Sequence, residues 1–201
     1  MSAIQASLGL QKGDTRLEAI RQQARDVSVS TGTSTDVVTR AQGELARSGY
    51  DADGVVAATV PTVNLSLAGN IDAAKAVDII RSTQASFNLA NTDVERVADV
   101  LTRGFTASNT SLTELSTAVA SAAPAAGEAG ASLEDTTALL GMLMEKGMKG
   151  ADASAEVSAM LSRLQTPDGQ RSAALNELKV QTRDGEGNPL PTENILKAIS
   201  T

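Results

Sequence analysis

Apolar residues recur along this chain three and four positions apart. Val94, Val97, Ala98 and Leu101 fall at i, i+3, i+4 and i+7, and Val157, Met160, Leu161 and Leu164 repeat those offsets. Thinner stripes run through Val38, Ala41 and Leu45, through Ile71, Ala74, Val77 and Ile80, and through Leu112, Leu115 and Val119. This spacing places the apolar residues on one face of a helix, so the pattern predicts a succession of amphipathic helices.

Polar punctuation agrees with the stripes. Thr15 with Glu18, Thr92 with Glu95 and Ser111 with Glu114 fit the capping box, and Ser132 with Asp135 is a further version of it. In that motif the cap hydroxyl accepts from the third helical amide, while the acid reaches back to the cap's own amide. Asn70 and Asp72 flank another expected start. Gly49, Gly69, Gly104 and Gly130 are expected helix stops, and Gly147 and Gly150 bracket a corner. Glycine enters the left-handed conformation at a helix end at little steric cost. Pro61 is expected to kink or divide the segment from Ala52 to Leu67, and Pro124 to act similarly.

Past Pro167 the character changes. Residues 166–180 read as one more helix, followed by a short strand, a turn at Asp184 to Asn188, a second short strand and a helix from about Thr192. The expected fold is all-α: a compact, irregular bundle of about eight to ten short amphipathic helices with a small β-hairpin near the C-terminus. Its expected parts are a flexible leader (1–14), a helical core (15–165), and a C-terminal helix, hairpin and truncated helix packed on the core (166–201). No exact internal repeat is visible, only a rhythm of one helix every twenty residues or so. The two ends of the sequence suggest a piece of something longer.

Composition narrows the function. With 17 basic against 24 acidic residues the formal charge is −7, the wrong sign for non-specific binding of nucleic acid. There is no cysteine and no histidine, which removes thiol chemistry, the commonest metal ligand and the commonest general base near neutral pH. Two Phe, one Tyr and no Trp leave little aromatic surface for sugars or bases, so the core must rest on Leu, Val, Ile, Met and Ala. No stretch is long and apolar enough to span a bilayer.

Candidate chemistry is sparse. Asp184, Glu186 and Asn188 alternate in a glycine-rich loop, but a calcium loop needs a longer ligand series; a turn is the expected reading. Asp51 to Gly54 reads as a polar loop before a helix. Glu134, Asp135 and Glu145 lie near one another, but acids favour a helix N-terminus on electrostatic grounds alone. No phosphate loop and no nucleophile motif is present. No catalytic residue, metal or cofactor is expected.

The run "ASLEDTTALLGMLMEKGMKGADASAEVSAMLSRLQTP" (131–167) is capped at its start, turned by glycines and stopped by a proline. With the preceding residues from Asp93 it resembles the core region of phage tail tape-measure proteins. The matching positions are Ala98 to Leu101, Pro124, Ser132 with Leu133 and Glu134, Leu140 with Gly141, Gly147 with Gly150, and Leu164 with Pro167. The resemblance extends from about residue 16 to the end; it departs at Asp152 to Ala155, where that family often carries Ala-Gly-Thr.

The resemblance implies a structural, non-enzymatic role. Tape-measure proteins set tail length during assembly and occupy the lumen of the tail tube until DNA ejection. The implied location is the virion, after synthesis in the host cytoplasm. The implied partners are tail-tube and tail-tip proteins and a tail assembly chaperone. Self-association is compatible with it, direct nucleic-acid binding is not expected, and membrane contact is confined to ejection. Two other readings stay open: a helical adaptor for a partner protein, and a lytic or membrane-active module of a tape measure.

Overall fold

A computed structural model describes residues 2–11, 13–165 and 190. Among them the regular structure is helical: α1 (Ser2–Leu8), α2 (Thr15–Thr31), α3 (Thr35–Arg47), α4 (Ala52–Ala68), α5 (Ala73–Ser86), a 3₁₀ turn (Asn91–Asp93), α6 (Val94–Ala107), α7 (Leu112–Ala129), α8 (Leu133–Glu145) and α9 (Gly150–Gln165). The expected all-α class holds for these residues. The expected hairpin, the helices flanking it, the loop at Asp184 to Asn188 and Pro167 lie outside the described residues. Residues 1–14, expected as a leader, carry α1, whose Ile4 is buried.

The chain divides into two compact units, Met1–Thr102 and Arg103–Thr201, with the boundary inside α6. In the first, α3 packs on α1, α2, α4 and α5, and α4 also packs on α2 and α5. Leu17, Ile20, Val38, Leu45, Val55, Leu65, Ile80 and Leu101 are buried there; each large aliphatic removed from water stabilises by about 1.5–3 kcal/mol. In the second, α7, α8 and α9 pack mutually around Leu112, Leu115, Leu133, Leu140, Val157 and Leu161. Alanines fill the seams: Ala118, Ala122, Ala123 and Ala126 form the buried face of α7. Small side chains let helix axes approach closely, at the cost of little area per contact.

Helix starts follow the sequence in part. Ser132 and Asp135 close a full capping box: the Asp135 N–H donates to Ser132 Oγ at 3.0 Å, and the Ser132 N–H donates to Asp135 Oδ2 at 3.3 Å. Three expectations are corrected. The cap of α2 is Asp14, which takes the Arg16 N–H at 2.9 Å, one residue ahead of Thr15. Ahead of α6 the returning acid is Asp93, which takes the Ala90 N–H at 2.9 Å, because a 3₁₀ turn precedes the α-helix. Ser111 caps α7 by accepting the Glu114 N–H at 3.1 Å, but the Glu114 carboxylate is turned elsewhere.

Several helix ends share one geometry. After α4 the Ile71 N–H donates to Ser66 C=O at 3.0 Å and the Asn70 N–H to Leu67 C=O at 3.2 Å, and the same pair of bonds closes α8 at Met148→Leu143 and Gly147→Met144. This is the Schellman ending, which needs one left-handed residue. Gly49, Gly130 and Gly147 supply it, and so do Asn70, Asn88 and Asn109 at φ of 49–51°. Gly69, an expected stop, is right-handed and cedes that place to Asn70. Gly104, also an expected stop, lies inside α6: a Cβ there would sit 2.5 Å from Thr137 Cγ2 and 2.8 Å from Leu115 Cδ2. It is glycine for close approach, not for a turn.

Pro61 and Pro124 sit within α4 and α7, which run through them. Among the described residues no single helix is long and apolar enough to cross a membrane.

Candidate functional site

The sequence singles out the α8–α9 corner, and its geometry starts with the caps. Ser132 and Asp135 fix the first residue of α8, and Glu134 sits beside them in the first turn. Leu140, eight positions past the cap, is fully buried. Gly141 lies one position further on; a Cβ there would stand 3.7 Å from Ser108 Cβ and 3.9 Å from the Gly104 carbonyl. α8 therefore passes α6 with small residues at the crossing. Gly147 then takes φ of 91° and turns the chain. Leu164 lies in the last turn of α9.

Gly150 opens α9 and is buried. Its N–H donates to Glu114 Oε1 at 3.0 Å, from a helix 36 positions away. The other carboxylate oxygen, Oε2, accepts the Thr110 hydroxyl at 3.1 Å. The acid expected to cap its own helix thus caps the start of α9 instead. A negative charge at a helix N-terminus is stabilising, because unpaired amides and the helix dipole both face it. The approach is close: a Cβ on Gly150 would meet Glu114 Cγ at 3.0 Å and the Glu114 carbonyl at 3.3 Å.

A groove of about 400 Å³ runs along this α7–α9 seam, lined by Ser111, Thr113, Thr117, Ser121, Ser154 and their neighbours. Three of its hydroxyls donate to backbone carbonyls. Thr117 Oγ1 donates to Thr113 C=O at 2.8 Å, Ser121 Oγ to Thr117 C=O at 2.9 Å, and Ser154 Oγ to Ala151 C=O at 2.8 Å. A second groove, of about 490 Å³ and in the first unit, is lined by Tyr50, Asp51, Asp53, Gly54, Asn91 and Thr92 among others. Asp51 is spent there as the cap of α4, taking the Gly54 N–H at 2.8 Å. Among the described residues no group of three His, Cys, Asp or Glu could hold a metal ion.

Sequence reasoning missed the polar ties of the first unit. Gln42, fully buried on α3, donates from Nε2 to Ile20 C=O at 3.0 Å and to Gln23 Oε1 at 3.3 Å. Gln23 in turn donates to Val56 C=O at 2.7 Å, so two glutamines join α2, α3 and α4. Tyr50, almost wholly buried, donates its hydroxyl proton to Gln84 Oε1 at 2.8 Å, and Gln84 Nε2 donates to Ala90 C=O at 2.7 Å. Burial holds the Tyr50 hydroxyl above its ordinary pKa of 10.0. The one available signal was a glutamine beside the apolar stripe Val38–Ala41–Leu45.

Caps, close glycine crossings and buried amide ties define a helical protein whose specific features fix shape. The chain belongs to the family described as phage-related minor tail protein, whose model matches residues 21–201. It is 36% identical over 198 residues to the probable tape measure protein of Escherichia phage P2, covering 98% of this chain and 24% of that protein. It is 27% identical over 201 residues to the tape measure protein of Pneumococcus phage Dp-1, covering 100% of this chain and 17% of that protein. The chain thus spans a quarter or less of the curated relatives it matches. No solved structure matches it.

Proposed function

We propose that this chain is a folded segment of a phage tail tape-measure protein and acts without catalysis. In this reading it lies in the lumen of the tail tube, contributes to the span that sets tail length, and leaves the tube ahead of DNA. The observation that carries the reading is the 36% identity to the P2 protein across 98% of this chain. The absence of cysteine and histidine and the backbone-engaged hydroxyls of the α7–α9 groove support the non-enzymatic part. Its partners are then the tail-tube and tail-tip proteins and the assembly chaperone.

Duplicating the segment in its parent gene and measuring tails by electron microscopy tests this. A fully extended helix rises 1.5 Å per residue, so 201 added residues lengthen the tail by up to roughly 300 Å; compact packing in the tube gives a smaller increment. Tails of unchanged length overturn the reading. A peptidoglycan-release assay, with Glu134→Gln and Glu145→Gln compared with the parent sequence, tests the lytic alternative; the expected result is no release from any of them.

A further inference from the structure

The rhythm of one helix every twenty residues conceals a longer period. Residues 60 positions apart occupy equivalent places. The helix caps Asp51 and Asp72 map onto the caps Ser111 and Ser132. The left-handed residues Gly49 and Asn70 map onto the left-handed Asn109 and Gly130. Buried positions follow: Val55 onto Leu115, Ala58 onto Ala118, Ala76 onto Thr136. Four positions are buried in three successive copies: Leu17–Val77–Thr137, Ile20–Ile80–Leu140, Ala24–Gln84–Met144 and Ala41–Leu101–Leu161.

Part of the packing follows the same step: α4 packs on α5 as α7 does on α8, and α2 on α3 as α8 does on α9, whereas the extensive α7–α9 packing has no counterpart of that extent between α4 and α6. The two grooves share five lining positions: Asp51, Asp53, Gly54, Ala57 and Asn91 in one correspond to Ser111, Thr113, Glu114, Thr117 and Ala151 in the other. Generic amphipathic helices share burial patterns within a helix. They do not share caps and left-handed residues across two successive loops without a gap. The register slips around one helix of each copy: the α2 cap Asp14 lies 58 positions before the α5 cap Asp72, and after α2, α5 and α8, of 17, 14 and 13 residues, Gly32, Asn88 and Gly147 fall out of step. Few side chains are kept between copies, so inspection of the sequence shows no repeat.

We infer that the chain is a tandem array of a three-helix module with a 60-residue period, and that this module is the step by which this part of the protein is lengthened or shortened. In a repeat architecture each supersecondary unit closes its core on its neighbours, so whole units can be added or removed. The first statement stands on the structure alone; the second rests on the proposed function.

Three variants of the 201-residue chain test the module. One lacks residues 52–111, which places the cap Asp51 directly before Leu112. One duplicates residues 52–111 after Ser111. The control lacks residues 52–101, which is out of register. Circular dichroism and thermal melting are expected to show the parent's helix signal per residue and a cooperative melt for both in-register variants, and loss of that melt for the control. In-register variants that behave as the control overturn the module. The same in-register changes in the parent gene, with tails measured by electron microscopy, test the step. Each module shifts tail length by up to about 90 Å at the rise of a fully extended helix. In-register variants that melt cooperatively but leave tail length unchanged overturn the step and leave the module standing.

Discussion

Glu114 Oε1 takes the Gly150 N–H at 3.0 Å and so ties the start of α9 to the first turn of α7. The contact needs both partners: a carboxylate on one helix, and a residue without a side chain at the start of the other.

Glu114→Ala is expected to destabilise the chain by about 1 kcal/mol, the usual cost of losing a helix cap, and Glu114→Gln by less, because an amide oxygen still accepts. Gly150→Ala forces a methyl to 3.0 Å from Glu114 Cγ and is expected to cost about 1–3 kcal/mol, as overpacking does. Urea unfolding of both single variants and the double variant measures the coupling; fully additive effects would show that the two residues do not act together.

Gly104→Ala tests the α6 crossing. Alanine is the better helix former by about 1 kcal/mol, so an isolated helix would be stabilised. Here the new methyl meets Thr137 Cγ2 at 2.5 Å and Leu115 Cδ2 at 2.8 Å. The expected outcome is a net loss of about 1–3 kcal/mol. A gain in melting temperature would refute the close approach.

The asparagine endings make a separate prediction. Asn70, Asn88 and Asn109 hold φ near +50°, a conformation that costs other L-residues about 1–2 kcal/mol. Asn70→Ala is expected to lower the thermal midpoint and Asn70→Gly to keep or raise it. If alanine and glycine behave alike at this position, the left-handed ending is not formed.

Gln42→Ala removes a fully buried amide and leaves Gln23 Oε1 without its donor. A loss of about 2–4 kcal/mol is expected from the cavity and the unpaired acceptor together. The double variant Gln23→Met, Gln42→Met removes both ends of the pair at similar volume. It is expected to recover most of the loss by the same urea measurement.

Tyr50 is the only tyrosine, so its ionisation can be followed directly by ultraviolet absorbance. Burial raises its pKa above 10.0 in the folded chain. The folded state therefore holds this proton more tightly than the unfolded state. The stabilising contribution is complete below pH 10 and is lost as pH rises through the folded pKa. Alkaline titration is expected to show tyrosinate appearing above pH 10 together with loss of helix, and Tyr50→Phe to weaken that dependence.

Local interactions made the helices legible. A cap hydroxyl or carboxylate, an apolar residue every third or fourth place and a residue suited to a left-handed turn all act within a few positions. The stripes Val38–Ala41–Leu45 and Val94–Val97–Ala98–Leu101 are accordingly buried. The corner from Ser132 to Gly150 was legible for the same reason, because its capping box and its Gly147 turn are closed by neighbours in the chain.

The misreadings arose where a residue answers to something distant in sequence. Gly104 looked like a stop, but its requirement comes from Leu115 and Thr137 on other helices. Glu114 looked like half of a capping box, but its carboxylate is held by an amide 36 positions away. The Gln42 amide N–H groups are tied to the Ile20 carbonyl and to Gln23 Oε1, 22 and 19 positions away. Helix starts to within about two residues, the face each helix buries and the likeness to a family could be read from residue order, since those rest on short-range geometry. Tertiary structure alone decided which helix each polar group serves, where backbones cross too closely for a methyl, and the 60-residue period, since positions of equal burial need not carry equal side chains.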